Sequence, residues 1–336
     1  MALLQLLQYA REGEPCANQR RPTGRIDALR TKPGAPVASL TFMDVAFHHA
    51  DFCFDEYRRA VEASRCAGVG AAVQAVVSFA EHELSASWDA FHRQHCGAAF
   101  FRPRRYLLAE FPLLAARGKE LTVLELGCGN GSSCLPLLLA NPDARVVACD
   151  FAESAVAATR QAVSQAGVSS RFVAFHADPG AGSAQEFAAA LSAAVSLAGW
   201  PPLTRFDAVL AVFVLSALPP ARVPNFLASA CSCLRPGGCL LARDHGIFDQ
   251  AHLRFSDAEA ACDASGRLFR RQDGTLARFF DRDELVDTVC GAAASAGVHL
   301  AGEAEWHTVA VPNRAKNICM RRIFVHAVFT RALDDA

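Results

Sequence analysis

The pattern of apolar and polar positions changes character along this chain. From Asp55 to about His95 the apolar residues recur at helical spacing, with a break at Gly68 and Gly70, which predicts two or three helices. From Leu121 onwards, short apolar runs alternate with helical segments. This alternation predicts a mostly parallel sheet flanked by helices.

The individual elements follow from the same pattern. The predicted strands are 121–126, 146–150, 171–176, 206–213 and 239–243, and the predicted helices are 154–166, 184–197, 220–234 and 282–296. Two further strand-like segments, 299–311 and 319–330, have no helix between them. Consecutive strands without a crossover pair as an antiparallel hairpin. We therefore predict an α/β fold with a seven-stranded sheet that ends in such a hairpin.

Composition narrows the class of protein. Of 336 residues, 52% are hydrophobic and 20% are charged, which is typical of a globular protein with an ample core. A formal net charge of -1 means that any nucleic-acid surface is local. The thirteen scattered cysteines indicate buried thiols in a reducing compartment, and without a C-x-x-C pair we predict no metal. No apolar run reaches the roughly 18 residues of a membrane span.

The start of the chain has a different composition. Residues 11–40 are rich in Arg, Pro and Gly, which predicts a flexible leader. A mitochondrial presequence is poor in acids, whereas Glu12 and Glu14 interrupt this one. We therefore expect a cytoplasmic protein, with mitochondrial import as the alternative.

The most informative stretch is a glycine-rich turn between two predicted strands. It reads Glu125-x-Gly127-x-Gly129-x-Gly131, and the second strand ends on Asp150. An acid about 20 residues after such glycines is placed to accept hydrogen bonds from ribose hydroxyls. The alternative is a tight turn with a surface acid. The spacing differs from the Gly-x-Gly-x-x-Gly of dinucleotide enzymes and resembles the first motif of S-adenosylmethionine (SAM)-dependent methyltransferases.

A second informative stretch precedes the sheet. Between residues 85 and 112, aromatic side chains such as Trp88 and Tyr106 are interleaved with Arg102, Arg104 and Arg105. Aromatic residues at helical spacing often form a core. Base stacking and phosphate pairing also require these two side-chain types together, and the arginines favour that hypothesis.

These stretches, with later ones, carry a family resemblance. They read WDAFH, FFRPRRYLLAEFP, ELGCGNGSSCLPLL, ACDFAESAV, VFVLSALPP, LRPGGCLLARDHGIFDQAHLRF, RRQDGTLARFFDRDEL and RRIFVHAVF. The chain resembles the methyltransferase-like enzymes that make 3-methylcytidine in the anticodon loop of tRNA, from about residue 85 to 330. RDHGIFDQAHLRF and RQDGT followed by FF are the specific motifs. The chain departs from the family at Pro103, where Asp is usual, at Leu218, where His is usual, and at His245, where Tyr is usual.

The resemblance implies a fold, a reaction and partners. It implies a class I SAM-dependent methyltransferase (Rossmann-like) domain over 119–332, a helical tRNA-binding extension over 41–118 and the leader over 1–40. The implied reaction forms 3-methylcytidine at position 32 of tRNA and leaves S-adenosylhomocysteine. Implied partners are tRNA and seryl-tRNA synthetase or another tRNA-binding protein, with no membrane.

The same resemblance, together with convergence at the carboxyl ends of parallel strands, assigns site residues. The predicted cofactor residues are Glu125, Gly127, Cys128, Gly129, Gly131, Asp150, Phe151, Asp178 and Phe213. The predicted tRNA residues are Trp88, Arg102, Arg104, Arg105, Arg271, Arg321 and Arg322. Phe248, Phe279 and Phe280 are candidate stacking partners for the base.

The chemistry of cytidine N3 assigns further roles. Neutral cytosine carries a lone pair on N3, so transfer needs positioning but no general base. A carboxylate that accepts from the exocyclic amino group favours the developing positive charge. We predict Asp244 in that role, Arg243 on phosphate or sugar, and Phe213 in the pocket wall. Two alternative functions stay open. One is a SAM enzyme that acts on a protein or small molecule, and the other is a non-catalytic SAM-fold subunit that presents tRNA.

Overall fold

The structure is a computed structural model that describes residues 47–66, 81–95, 102–258, 261–313 and 318–333. The predicted leader, residues 1–40, and the pair Phe100 and Phe101 lie outside the described residues.

One seven-stranded sheet organises the described chain. Its strands are β1 (Leu121–Leu126), β2 (Ala144–Asp150), β3 (Phe172–His176), β4 (Phe206–Val212), β5 (Leu234–His245), β8 (Leu300–Asn313) and β9 (Ile318–Arg331). Their order across the sheet is β3-β2-β1-β4-β5-β9-β8. Strands β1 to β5 are parallel, and β9 is antiparallel to both β5 and β8. The predicted sheet with its terminal antiparallel hairpin is confirmed.

Helices cover both faces of this sheet. They are α1 (Phe54–Cys66), α2 (Glu81–Gln94), α3 (Leu107–Glu110), α4 (Cys134–Ala140), α5 (Glu153–Gln165), α6 (Ala184–Leu197), α7 (Val223–Ser232), α8 (Gln250–Ala258) and α9 (Arg282–Ser295). Among the described helices, none is long and apolar enough to cross a membrane. Strand β4 is buried along its whole length, as expected when helices pack on both sides of a parallel strand.

Alternate residues of β1 enter two different cores. Leu124 and Leu126 pack in a cluster with Leu191 of α6 and Phe226 of α7. Val123 packs on the opposite face with Leu138 of α4. The two-residue period of a strand therefore joins both helical layers to the central strand.

A small second sheet was not predicted. Strands β6 (Leu268–Arg270) and β7 (Leu276–Arg278) form an antiparallel hairpin. Its turn holds Gly274, and a Cβ there would lie 2.6 Å from Oγ of Ser87 in α2. Three-residue strands are too short to show an alternating pattern. The sequence therefore marked this segment by the RQDGT motif and gave no sign of a hairpin.

The N-terminal segments pack on the sheet domain at two points. Asp51 donates its backbone N–H to the Thr308 carbonyl oxygen at 2.9 Å, so the chain before α1 covers part of edge strand β8. Asp89 of α2 accepts from the Ser154 hydroxyl at 2.6 Å, at the start of α5. This second contact holds α2 above the carboxyl ends of the parallel strands.

Candidate functional site

A cavity of about 530 Å³ opens at the carboxyl ends of β1, β2, β4 and β5. Its wall includes Gly127 and Gly129 after β1, Asp150 at the end of β2, Phe213 after β4 and His245 at the end of β5. Parallel strands bring their carboxyl ends to one edge, which is where open α/β sheets bind ligands. The convergence of Gly129, Asp150 and Phe213 was predicted, whereas Asp178, predicted with them, lies in a neighbouring pocket.

The glycine turn after β1 is hydrogen-bonded to Asp150 at the end of β2. Gly127, Gly129 and Gly131 have φ values of 74°, 54° and 79°, in the left-handed region that favours glycine. Asp150 Oδ2 accepts from the Gly129 N–H at 2.9 Å, and Oδ1 accepts from the Ala152 N–H at 2.9 Å. Burial raises the pKa of the Asp150 carboxyl. Each carboxylate oxygen keeps a second lone pair for a ligand.

Helix α2 forms the roof over this turn. Trp88, Phe91 and His92 line the cavity from that helix. A Cβ on Gly129 would lie 3.6 Å from Cε1 of His92, so the glycine leaves a gap beneath the imidazole. Burial lowers the pKa of His92, which keeps its ring neutral near pH 7. The cofactor half of the cavity is therefore closed by the N-terminal helical segment.

Arg104 joins the cofactor half of the site, although the sequence assigned it to tRNA. Its backbone N–H donates to the Ser132 carbonyl oxygen at 2.7 Å, and Nη1 donates to Ser133 Oγ at 2.9 Å. Its guanidinium lies 5.1 Å from the Phe213 ring centroid. Burial of Glu125 raises the pKa of that carboxyl to about 7, and the positive charge of Arg104 acts against this rise. Arg104 thus lies between the glycine turn and the middle of the cavity.

Phe213 has an unusual backbone for its residue type. Its φ of 57° is in the left-handed region, which costs a non-glycine residue roughly 1–2 kcal/mol. Its N–H donates to the Arg243 carbonyl oxygen at 2.8 Å, and that bond fixes the turn after β4. Strain of this kind concentrates at functional sites, and here it turns the ring into the cavity.

The far half of the cavity is aromatic and cationic. Phe324 of β9, His245, Arg271 and Arg322 line it. Arg271 donates to the Leu276 carbonyl oxygen at 2.7 Å, and Arg322 Nε donates to Asp249 Oδ2 at 2.8 Å. These bonds hold both guanidinium groups at the cavity wall, so a ligand that combines a flat ring with phosphate groups is favoured there.

The two polar residues assigned to catalysis lie behind the cavity wall. Asp244 is 1% exposed, and its oxygens accept from the N–H groups of Ser216 and His245 at 2.9 and 2.8 Å. Arg243 is 4% exposed and forms a buried ion pair with Glu110. The interpretation of Asp244 as an acceptor for cytosine and of Arg243 as a phosphate ligand is therefore corrected. Both shape the cavity from outside it.

Several other predicted residues also lie away from the cavity. Gly131 faces the Thr159 side chain, and Glu125 is buried beneath the turn. Asp178 pairs with Arg222 in a small neighbouring pocket that shares Trp88 and Phe151 with the main one.

Four predicted tRNA or stacking positions also lie outside the cavity lining. Arg321 lies over the rings of Phe52 and Tyr57, and Arg105 is exposed outside the cavity, so contact of these two arginines with tRNA stays a prediction. Phe279 and Phe280 are each 1% exposed in the core, so neither is available to stack on a base.

The predicted residues that do line the cavity are Trp88, Arg102, Arg104, Gly127, Cys128, Gly129, Asp150, Phe151, Phe213, Arg271 and Arg322. Sequence reasoning missed His92, Phe324 and the wall position of His245. His92 lies one helical turn after Trp88, and that spacing was an available signal. Phe324 had none, because only the pairing of β9 with β5 brings it here.

A cluster of metal-compatible side chains surrounds Arg243 of β5. Glu110, His307 and His326 have ligand atoms within 4.8 Å of one another. The Arg243 guanidinium is hydrogen-bonded to the same Glu110 oxygen that His326 Nδ1 approaches at 3.1 Å. The neighbouring cation opposes binding of a second one, so we treat the cluster as a hydrogen-bond network around Arg243.

The cavity fits the cofactor implied by the family resemblance. The gap left by Gly129 admits a ligand against the backbone, and Asp150 presents acceptor lone pairs beside it. Arg104 supplies a cation next to the glycine turn. An amino acid carboxylate, a ribose and a ring system can each meet a matching group there.

Comparisons with known proteins give the following. A family model described as "Methyltransferase domain" matches residues 124–240. The chain is 30% identical over 259 residues to the tRNA N(3)-cytidine methyltransferase METTL6 of Rattus norvegicus. That alignment covers 76% of this chain and 82% of the relative. It is 31% identical over 257 residues to the tRNA N(3)-methylcytidine methyltransferase Mettl2 of Drosophila melanogaster, covering 73% and 71%.

A solved structure is also similar. It is the 1,6-didemethyltoxoflavin-N1-methyltransferase of Burkholderia thailandensis with bound 1,6-didemethyltoxoflavin and S-adenosylhomocysteine. The TM-score is 0.48 at 18% identity, and the match covers 79% of this chain and 95% of that one.

Proposed function

This chain belongs to the family of tRNA N(3)-cytidine methyltransferases, and on that premise we propose that it methylates N3 of a cytidine in tRNA with SAM as the donor. One observation carries the proposal. A single cavity joins the glycine turn and Asp150 to a wall of aromatic and arginine side chains. A methyl donor and a flipped base can therefore bind next to each other in this cavity.

The cofactor half is organised by four groups. SAM supplies an electrophilic methyl group on its sulfonium. Asp150 accepts hydrogen bonds from the ribose, and Arg104 pairs with the cofactor carboxylate. Trp88 and His92 cover the site and exclude water.

The base half works by positioning. Cytosine N3 already has its lone pair, so no residue has to remove a proton before attack. Phe213 and Phe324, whose ring centroids are 5.6 Å apart, present aromatic surfaces to the flipped base. The strained turn at Phe213 fixes one of these surfaces, which aligns N3 with the methyl group.

We further propose a target and a partner. The target is the cytidine at position 32 of the anticodon loop, as the family resemblance implies. A loop base also leaves its stack more cheaply than a duplex base. The cavity side chains Arg102, Arg271 and Arg322 pair with the phosphates around that nucleotide. Seryl-tRNA synthetase, or another tRNA-binding protein, presents the tRNA.

The test is nucleoside analysis of methylated tRNA. The full chain with labelled SAM and total tRNA, with and without seryl-tRNA synthetase, is expected to yield labelled 3-methylcytidine. The Asp150→Ala variant is the matched control and is expected to yield none. Label in another nucleoside, in protein or in a small molecule rejects the proposal, as does SAM binding without any transfer in a cell extract.

A further inference from the structure

His245 is the last residue of β5, and its imidazole lines the base half of the cavity. Its ring centroid is 4.9 Å from that of Phe213 and 6.0 Å from that of Phe324, the two aromatic surfaces of that half. A flat base that stacks in this half has the edge of the imidazole within reach.

The imidazole is neutral at physiological pH. Burial, and then the positive charges of Arg322 and Arg271, hold the pKa of His245 well below its usual range. A neutral imidazole has one N–H donor and one acceptor nitrogen. His245 therefore offers an acceptor on a wall that is otherwise rich in donors.

One nitrogen of this ring forms no hydrogen bond with the described part of the protein. Nδ1 of His245 is shielded from solvent and has no hydrogen-bond partner among the described residues. A buried polar atom without a partner is rare and costs stability, so such atoms often mark ligand sites. A half-turn of the ring about the Cβ–Cγ bond exchanges its two edges and keeps its shape, so the acceptor can face the cavity.

The amide and carboxylate acceptors near the cavity lie in the cofactor half, in the β6–β7 turn or behind the wall. Asp150 and Asn130 belong to the cofactor half, at the end of β2 and in the glycine turn. Asp273 accepts from the Thr275 hydroxyl at 2.6 Å in the β6–β7 turn. Asp244, the neighbour of His245, is sealed behind the wall. His245 thus offers the base half an imidazole nitrogen that no hydrogen bond among the described residues engages.

We propose that His245 recognises the exocyclic amino group of the target cytosine by accepting a hydrogen bond from it. The assignment rests on the proposed function and deepens it. Cytosine carries an amino donor beside N3, whereas uracil carries an oxygen acceptor at the same place. The imidazole lone pair can accept from the amino group of cytosine and finds no donor at that place in uracil, so His245 is a specificity residue as well as a positioning one.

The test is a double-mutant cycle that varies the side chain at position 245 and the amino group of the target base. The protein variants are His245→Phe, which keeps an aromatic ring without an acceptor, and His245→Asn, which restores an acceptor oxygen. The substrate variants are tRNAs with cytosine or 2-pyrimidinone, which is cytosine without its amino group, at the target position. The measurement is kcat/KM for each pair, with SAM affinity and thermal unfolding as controls of the fold.

The unsubstituted protein is expected to discriminate against 2-pyrimidinone more strongly than His245→Phe does. The difference is about 3- to 10-fold, the range of one neutral hydrogen bond. A lower intrinsic reactivity of 2-pyrimidinone does not affect this comparison, because it lowers kcat/KM by the same factor in both proteins. His245→Asn is expected to recover most of the discrimination. His245→Leu replaces the Phe variant if that variant does not fold.

Two failures are distinguishable. Equal discrimination by the unsubstituted protein and His245→Phe overturns the assignment of His245 while 3-methylcytidine formation stands. No 3-methylcytidine on the cytosine tRNA, from an unsubstituted protein that binds SAM, overturns the proposed function itself.

Discussion

The Oδ2 atom of Asp244 accepts a hydrogen bond from the backbone N–H of Ser216 at 2.9 Å, so the end of β5 fixes the turn after β4. Ser216 and the next residue, Ala217, line the cavity, whereas the carboxylate lies behind them. Burial raises the pKa of Asp244 to about 6, since the protein surrounds the carboxylate on all sides. We therefore expect Asp244 to affect the reaction through the backbone that it holds.

Replacing Asp244 tests this indirect role. Asp244→Ala leaves two buried N–H groups without acceptors, each of which costs about 1–3 kcal/mol of folding free energy. We expect a lower free energy of unfolding in urea together with a lower kcat, because the Ser216 turn loses its anchor. The matched control is Asp287→Ala on the exposed side of α9, with a change within about 0.5 kcal/mol. Loss of turnover with unchanged stability contradicts the assignment.

Glu110 is expected to control acid stability. Burial acts to raise its pKa, but hydrogen bonds from His307 and His326 and the charge of Arg243 outweigh burial and hold the pKa at about 2. Its folded-state pKa lies below the usual 4.5, so its contribution is present above about pH 4.5 and is lost as the pH falls towards 2. Glu110→Gln leaves the Arg243 charge buried without its counter-ion, at a cost of roughly 3–5 kcal/mol.

Urea unfolding of Glu110→Gln and the unsubstituted protein at several pH values measures this effect. The gap in free energy is expected to be largest near pH 7 and to shrink as the pH falls below about 4.5. Glu120→Gln is the control, because Glu120 is 60% exposed in its pair with Arg145 and contributes at most about 1 kcal/mol. A gap that does not change with pH rules out the ionised carboxylate as its source.

Gly129→Val is expected to abolish SAM binding. The new side chain meets His92 across the cavity, and a φ of 54° adds backbone strain. Gly118→Val separates these effects, since Gly118 has a φ of 82° and nothing within 4 Å of its Cβ position. Both variants are expected to lose stability from strain, and titration calorimetry with SAM is expected to show lost binding for Gly129→Val alone. Retained binding by Gly129→Val means the cofactor lies elsewhere.

Trp88 is expected to report cofactor binding by its fluorescence. Of the three tryptophans in the chain, Trp88 lines the cavity, Trp200 lies under the Arg145 guanidinium and Trp306 stacks on Phe54. Addition of S-adenosylhomocysteine is expected to change the emission of the unsubstituted protein and to leave that of Trp88→Phe unchanged. Trp200→Phe is the control and is expected to keep the change. A signal that survives in Trp88→Phe contradicts the position of the roof helix.

Local patterns in the sequence were sufficient for the frame of the protein. The period of the apolar residues predicted the parallel strands and the terminal β8–β9 hairpin. The alternation of buried and exposed positions in a strand or helix is visible within a few consecutive residues. The glycine turn and Asp150 were also predictable, since a β-turn-α-β unit fixes their distance along the chain.

The tertiary structure alone decided which polar side chains enter the site. Asp244 and His245 are neighbours at the end of β5, and successive side chains of a strand point to opposite faces. The sequence contains both residues but no local signal for the face that borders the cavity, so the carboxylate was chosen and the imidazole was missed. Arg243 likewise finds its partner Glu110 at a separation of 133 residues. Such long-range pairings depend on how the sheet and its helices pack, and no local pattern records them.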